Sequence, residues 1–389
     1  MTKPLDGVRV LDLTRLLPGP FGSLVLAELG ATVDKVEDAG AGDYLRHTGP
    51  QRGGMSVAFA ALNRGKRSAV VDLKSPAGRD AFERLLGSYD VLFEQFRPGV
   101  LDRLGLSHAS LRAKFPRLVI CALTGYGQTG PLRDRAGHDL NYLARAGVLA
   151  LQGPAEGPPQ VPGTQLADVS GGLWCVVAIL AALRERDRTG QGTILDIAMT
   201  DGVLGFASIG LTAALAGEER AAGRDLLTGG IAPYNTYLSA DGQPMTLASL
   251  EPKFWLTFAT QNGLEPSLEA LMPGDHQPAL RERIAAIFAS KTRAEWERFA
   301  SEHDCCVEPA VLPSTLADDP QIAARELVFE QEVGGEKVTL FRTPVTPKGE
   351  IPAPAPTKGA HTATILGEAG FSPEEIAALA ASGAVAVEP

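Results

Sequence analysis

The chain has 389 residues, 36 basic and 46 acidic, for a formal net charge of −10 with 44% hydrophobic and 21% charged residues. That length exceeds one hydrophobic core, so two domains are expected; the acidic balance works against nucleic acid, and no apolar run is read as long enough to cross a bilayer. The opening Met1-Thr-Lys-Pro-Leu-Asp-Gly7 lacks a secretory apolar core, and Cys121, Cys175, Cys305 and Cys306 have neither C-x-x-C nor metal spacing. A cytoplasmic protein with buried thiols, no zinc and no disulfide is therefore expected.

In chain order, Val8–Leu13 reads as a buried strand, Phe21–Leu29 as a helix stopped by Gly30, and Ala31–Val36 as a second strand, together one βαβ unit. Strand-like Ser68–Leu73, helical Ala77–Leu86, and strand-like Val91–Glu94 and Leu118–Leu123 continue the alternation of a parallel sheet. A long helix from Val169 to about Arg186 carries apolar residues on most faces and is expected to be mostly buried. After about Gly223 the pattern changes to a hairpin, Tyr234–Leu238 and Met245–Leu250 around Ala240-Asp-Gly242. Helices near Lys253–Asn262 and Arg293–Ser301 and a strand near Val307–Val311 follow, then the extended connector Ile351–Thr357 and a short helix opening at Ser372-Pro-Glu-Glu375. The expected division is residues 1–222 as a large α/β domain of doubly wound type, 223–330 as a smaller α+β domain, and 331–389 as a C-terminal segment.

Gly125-Tyr-Gly-Gln-Thr-Gly130 matches the G-x-G-x-x-G pattern of dinucleotide sites. The reading is rejected because that fingerprint needs a helix to start in the loop, whereas Pro131 and Arg133-Asp-Arg135 follow at once. His138 comes just after this loop, where ligands meet the carboxyl end of a parallel sheet. Alone, such a histidine is more often structural than catalytic, and Asp168 alone reads as the N-cap of the long helix. Glu251, before Pro252, alone reads as a solvated turn residue. Arg64, Lys66, Arg67, Lys74, Arg97 and Arg103 are either a solvated face or a phosphate-binding patch.

Several segments together resemble the class III CoA-transferase (CaiB/BaiF) superfamily, which includes formyl-CoA transferases, carnitine CoA-transferases and α-methylacyl-CoA racemases. They are Pro4–Val10, Leu29–Val33, Asn63–Ser68 with Asp72-Leu-Lys74, Phe96-Arg-Pro-Gly99, Thr124–Pro131 and Arg188–Asp196. The resemblance implies an interlocked homodimer of chains with a Rossmann-like large domain and a small domain, the C-terminal segment returning to the large one. It also implies an acyl-CoA substrate and no separate cofactor, coenzyme A being part of the substrate.

Within the superfamily, Gly137-His-Asp-Leu-Asn-Tyr142 is similar to the racemase motif. That similarity implies His138 and Asp168 as catalytic bases and Glu251 as the partner of the histidine. It implies Asp139 and Tyr142 as lining the thioester site, with Lys74, Arg97 and Arg103 toward coenzyme A. Ala167-Asp-Val-Ser-Gly-Gly172 departs from the racemase pattern and is closer to a transferase. Three activities stay open: racemisation by two bases with the enolate held by amides at the start of the long helix, CoA transfer through an Asp168 anhydride, and CoA binding without catalysis.

Overall fold

A computed structural model describes residues 3–218 and 221–387. Its main sheet contains β1 (Arg9–Asp12), β2 (Thr32–Glu37), β3 (Arg67–Val71), β4 (Val91–Glu94), β5 (Val119–Thr124), β6 (Ile194–Ala198) and β7 (Val385–Ala386). The spatial order is β7-β3-β2-β1-β4-β5-β6. Every pairing is parallel except that of β7 on β3. Residues of β1, β3, β4 and β5 are buried almost throughout, as expected of strands covered on both faces. The order 3-2-1-4-5-6 reverses direction between β1 and β4, and in such sheets ligands meet the carboxyl ends of the strands at that point.

Four helices set the site: α1 (Pro18–Glu28), α2 (Asp139–Arg145), α3 (Leu166–Thr189) and α4 (Met199–Phe206). Helix α1 packs tightly on α3, because a Cβ on Gly172 would lie 2.4 Å from the Pro18 carbonyl oxygen and one on Gly22 2.9 Å from the Gly172 carbonyl oxygen. Helix α3 corrects two expectations. It is long and apolar enough to cross a membrane, and only half of its most apolar stretch is buried. The cause is its composition: Val169 to Leu183 carries no charge, so one side packs under the sheet while Leu173 (37%), Trp174 (43%) and Val177 (54%) stay exposed. The core helix of a globular protein can have this same length and composition.

The described chain divides into two compact units. The first comprises residues through Leu143, Thr164–Phe206 and the chain from Ala323 onward. In it the C-terminal segment adds the antiparallel pair Val328–Val333 and Glu336–Phe341, the edge strand β7, and the ion pair of Arg67 with Glu368 at 2.7 Å. The second unit comprises Ala144–Gly163 and Ala207–Ile322. Residues 144–163, 207–218 and 221–222, assigned to the large domain from sequence, thus go with the small one, and 323–330, assigned to the small domain, go with the large one. This unit is α+β: a sheet ordered Val307–Pro309, Pro244–Ala248, Tyr234–Leu238, with helices Pro252–Gln261, Gln277–Phe288 and Arg293–Glu302 around Trp255, Phe258, Phe288 and Trp296.

Candidate active site

Beyond the carboxyl ends of β1, β4 and β5 the first unit holds a cavity of about 620 Å³. Its lining includes apolar Leu16, Leu17, Pro18, Leu45, Ala58 and Leu62 together with Arg97, Tyr126, His138, Tyr142, Gln165 and Asp168. A neighbouring cavity of about 480 Å³ contains Lys74, and Arg15 and Phe96 line both. The pair therefore forms a polar-rimmed groove at the topological switch point.

The wall after β1 is held from beneath. Lys35 Nζ lies 2.9 Å from the Asp43 carboxylate and donates to the Thr14 carbonyl oxygen at 2.6 Å. Asp43 in turn accepts the amide of Leu16, whose φ is +63°, at 3.0 Å. A leucine in the left-handed region persists only where its surroundings over-determine it. This buried ion pair does so.

His138 stands where the chain turns into α2. Its carbonyl oxygen accepts the amide of Asn141 at 2.8 Å, and its own amide donates to Asn141 Oδ1 at 3.1 Å. The backbone is thus committed while the exposed imidazole lines the large cavity. Tyr142 closes the turn. Its hydroxyl donates to the Gly137 carbonyl oxygen at 2.5 Å, and its ring meets Tyr126 edge to face at 5.1 Å. A Cβ on Gly125 or Gly137 would come within 2.4 or 2.7 Å of that ring, so only glycine seats the tyrosine. No helix begins in the glycine loop before Asp139, in line with its rejection as a dinucleotide fingerprint.

Asp168 is not the N-cap expected from sequence. Helix α3 starts at Leu166 after Gln165, which puts Asp168 in its first turn, and the capping is done by Asp139. Asp139 Oδ1 accepts the amides of Ala167 at 2.7 Å and Asp168 at 3.0 Å. Leu166 N donates to the Thr164 carbonyl oxygen and Val169 N to that of Gln165. The amides at the start of α3 are therefore occupied, which overturns the expectation that they would stabilise an enolate. The Asp168 carboxyl is left facing the cavity, and burial, followed by the negative charge of Asp139, pushes it up to about 7. Burial, then Asp168 itself, pushes the Tyr142 hydroxyl up to about 12.

The other sequence candidates divide. Lys74 lines the smaller cavity and Arg97 the larger. Arg103 is exposed and lines neither; Asp139 caps a helix rather than lining the cavity. Glu251 belongs to the second unit, where it is exposed and precedes the helix Pro252–Gln261. Arg64, Lys66 and Arg67 are not a phosphate patch. Arg64 pairs with Glu28 at 2.6 Å, Lys66 bonds Ser23 and Asn63 beside Asp12, and Arg67 pairs with Asp34 at 2.6 Å. Arg15, Phe96, Tyr126 and Gln165 line the cavity and were not singled out from sequence. The signal that would have found Arg15 and Phe96 was their place just after strands at the switch point.

The family described as CoA-transferase family III matches residues 5–362. The human protein named alpha-methylacyl-CoA racemase is 37% identical over 379 residues, covering 96% of this chain and 95% of that relative. The mouse protein named succinyl-CoA:glutarate CoA-transferase is 32% identical over 393 residues, covering 94% and 86%. The crystal structure of a CAIB/BAIF family protein from Brucella suis aligns with a TM-score of 0.81 at 30% identity, over 95% of this chain and 100% of that one. With sequence and fold agreeing over nearly its whole length, the chain belongs to CoA-transferase family III and is an enzyme of this transferase and racemase family.

Proposed function

We propose that the protein is an α-methylacyl-CoA racemase, epimerising the carbon next to the thioester of a 2-methylacyl-CoA. The observation that carries this reading is a histidine and a near-neutral aspartic acid lining one cavity, with their backbones engaged and their side chains turned to it. Inversion needs one base on each face of the carbon. Ionised Asp168 takes the α-proton from one face, and the electron pair passes into the thioester as an enolate. The His138 imidazolium then returns a proton to the other face, leaving neutral His138 and protonated Asp168; the reverse direction exchanges the roles. A carboxyl group poised near neutral pH suits this work better than one that is always ionised. The apolar lining residues Leu16, Leu17, Leu45 and Leu62 suit an aliphatic acyl group, and the smaller cavity with Lys74 suits the nucleotide end of coenzyme A. A homodimer completes the proposal, supported by the exposed apolar side of α3.

The second reading is CoA transfer, favoured by the segment Ala167–Gly172 and by the 32% identical transferase relative. There Asp168 attacks the thioester carbonyl carbon, the thiolate of coenzyme A leaves, and an acyl anhydride forms. The test is α-proton exchange of 2-methylacyl-CoA thioesters in deuterium oxide without any acceptor acid. Exchange in the wild type, with inversion lost in both His138→Ala and Asp168→Ala, is expected. Transfer to an acceptor acid retained in His138→Ala, with no exchange in the wild type, overturns the racemase reading in favour of the transferase.

A further inference from the structure

An acidic side chain in the first turn of a 24-residue helix normally settles as an anion. The free amides there donate to it, and the positive end of the helix dipole favours its charge. Both effects lower a carboxyl's proton affinity. Asp168 occupies such a position and escapes both. The Asp139 carboxylate, from α2, holds the amides of Ala167 at 2.7 Å and Asp168 at 3.0 Å, so those donors are spent before Asp168 can use them.

Resting on the reading of Asp168 as one of the two bases, we propose that Asp139 is its positioning residue. By occupying the amides that open α3 and setting a second negative charge beside them, Asp139 keeps Asp168 a proton carrier rather than a permanently ionised helix cap. The resemblance implied a different duty for Asp139, that of lining the thioester site.

The charged and titratable groups around Asp168 are few enough to name. From α2 come Asp139 and the Tyr142 ring; the cavity that Asp168 lines is also lined by His138, Arg133 and Arg135 of the preceding loop, by Arg15 after β1, by Arg97 after β4 and by Tyr126 after β5. Among the described residues none of the cations reaches ion-pair distance of Asp168. The like charge of Asp139 acts on Asp168 in the same direction as burial, and both raise its proton affinity.

Asp139→Asn separates charge from shape, because the amide oxygen of asparagine still accepts both helix amides. The readout is the ¹³C-carboxyl titration of the aspartate-labelled full chain, with the Asp168 signal identified by its loss in Asp168→Asn. The expected midpoint is about 7 in the wild type. It should move down by at least about one pH unit in Asp139→Asn, further in Asp139→Ala, and back up in Asp139→Glu. Where exchange activity is present, the acid limb of its kcat profile moves by the same interval while KM changes little. A wild-type midpoint in the ordinary aspartate range, or an unchanged midpoint in Asp139→Asn, overturns the proposal. The titration is read without substrate, so an enzyme that transfers CoA and exchanges no proton refutes the racemase reading and leaves this test standing. Should Asp139→Ala not fold, Asp139→Asn alone decides.

Discussion

The raised proton affinity of Asp168 has a cost in stability. Its carboxyl holds a proton to about pH 7 in the folded chain, against 3.8 for an unperturbed aspartate. Between those values the native state binds more protons than the unfolded state, so stability falls as pH rises through this window and levels off above it. Asp168→Asn removes the effect. The variant should be more stable than the wild type at pH 8, and the advantage should vanish by about pH 4. Full conversion of the difference would be about 4 kcal/mol; the carboxyl is partly open to solvent, so a gain of roughly 1–2 kcal/mol is expected. Urea unfolding at the two pH values measures it, and an equal effect at both shows the residue does not titrate differently on folding. Loss of activity with gain of stability is what a strained functional residue produces.

At the scale of elements, the position of Asp168 depends on how closely α1 and α3 approach. The Gly172 position admits no side chain against the Pro18 carbonyl oxygen. Gly172→Ala should force the helices apart and cost about 1–3 kcal/mol. Gly367, in the helix Thr362–Glu368, has nothing within 4 Å of an added Cβ. There the same substitution should stabilise by roughly 0.5–1 kcal/mol, the ordinary preference for alanine in a helix interior. Opposite signs in urea midpoints are expected; two equal losses would mean that the α1–α3 approach is not sterically limiting. The buried ions under the cavity wall belong to the same scale. The Asp12 carboxyl is held below its usual range: burial alone would raise it, and Lys66, Lys35, Ser23 and Thr14 together outweigh burial. Such a cluster stabilises only while complete, since removing one partner leaves a buried charge alone.

For the whole molecule, the exposed apolar side of α3 sets the expectation. Leu173, Trp174 and Val177 would leave a large patch in water on a monomer, which soluble proteins avoid. Light scattering at micromolar concentration should give twice the mass of the 389-residue chain. Val177→Glu should shift that mass toward the monomer or toward aggregates, because a carboxylate would be desolvated in an apolar contact. A wild-type monomer with unchanged solubility in Val177→Glu refutes the dimer.

What the sequence by itself determined lies where information is local. The buried strands are legible because runs such as Val91–Phe93 and Leu118–Leu123 are apolar over most of a strand, and glycine and proline punctuate the chain between strands. His138 and Asp168 were legible as residues, through the motifs around them. Tertiary structure alone decided which groups stand beside them. Asp139 and Asp168 are 29 residues apart in sequence, yet one carboxylate holds the amides beside the other, and no spacing rule announces that. Arg64, Lys66 and Arg67 read as a patch because their neighbours are local, while their partners Glu28, Asp12 and Asp34 come from helix α1 and strands β1 and β2. The edge strand β7 was missed for the same reason: Val385-Ala386 pairs with Val70 and Val71 more than 300 positions earlier, and two residues carry no periodicity. Hydrophobic pattern records which residues leave water, a property each residue largely carries with it. Charge pairing, capping and proton affinity depend on which partner arrives, and only the folded chain brings the partners together.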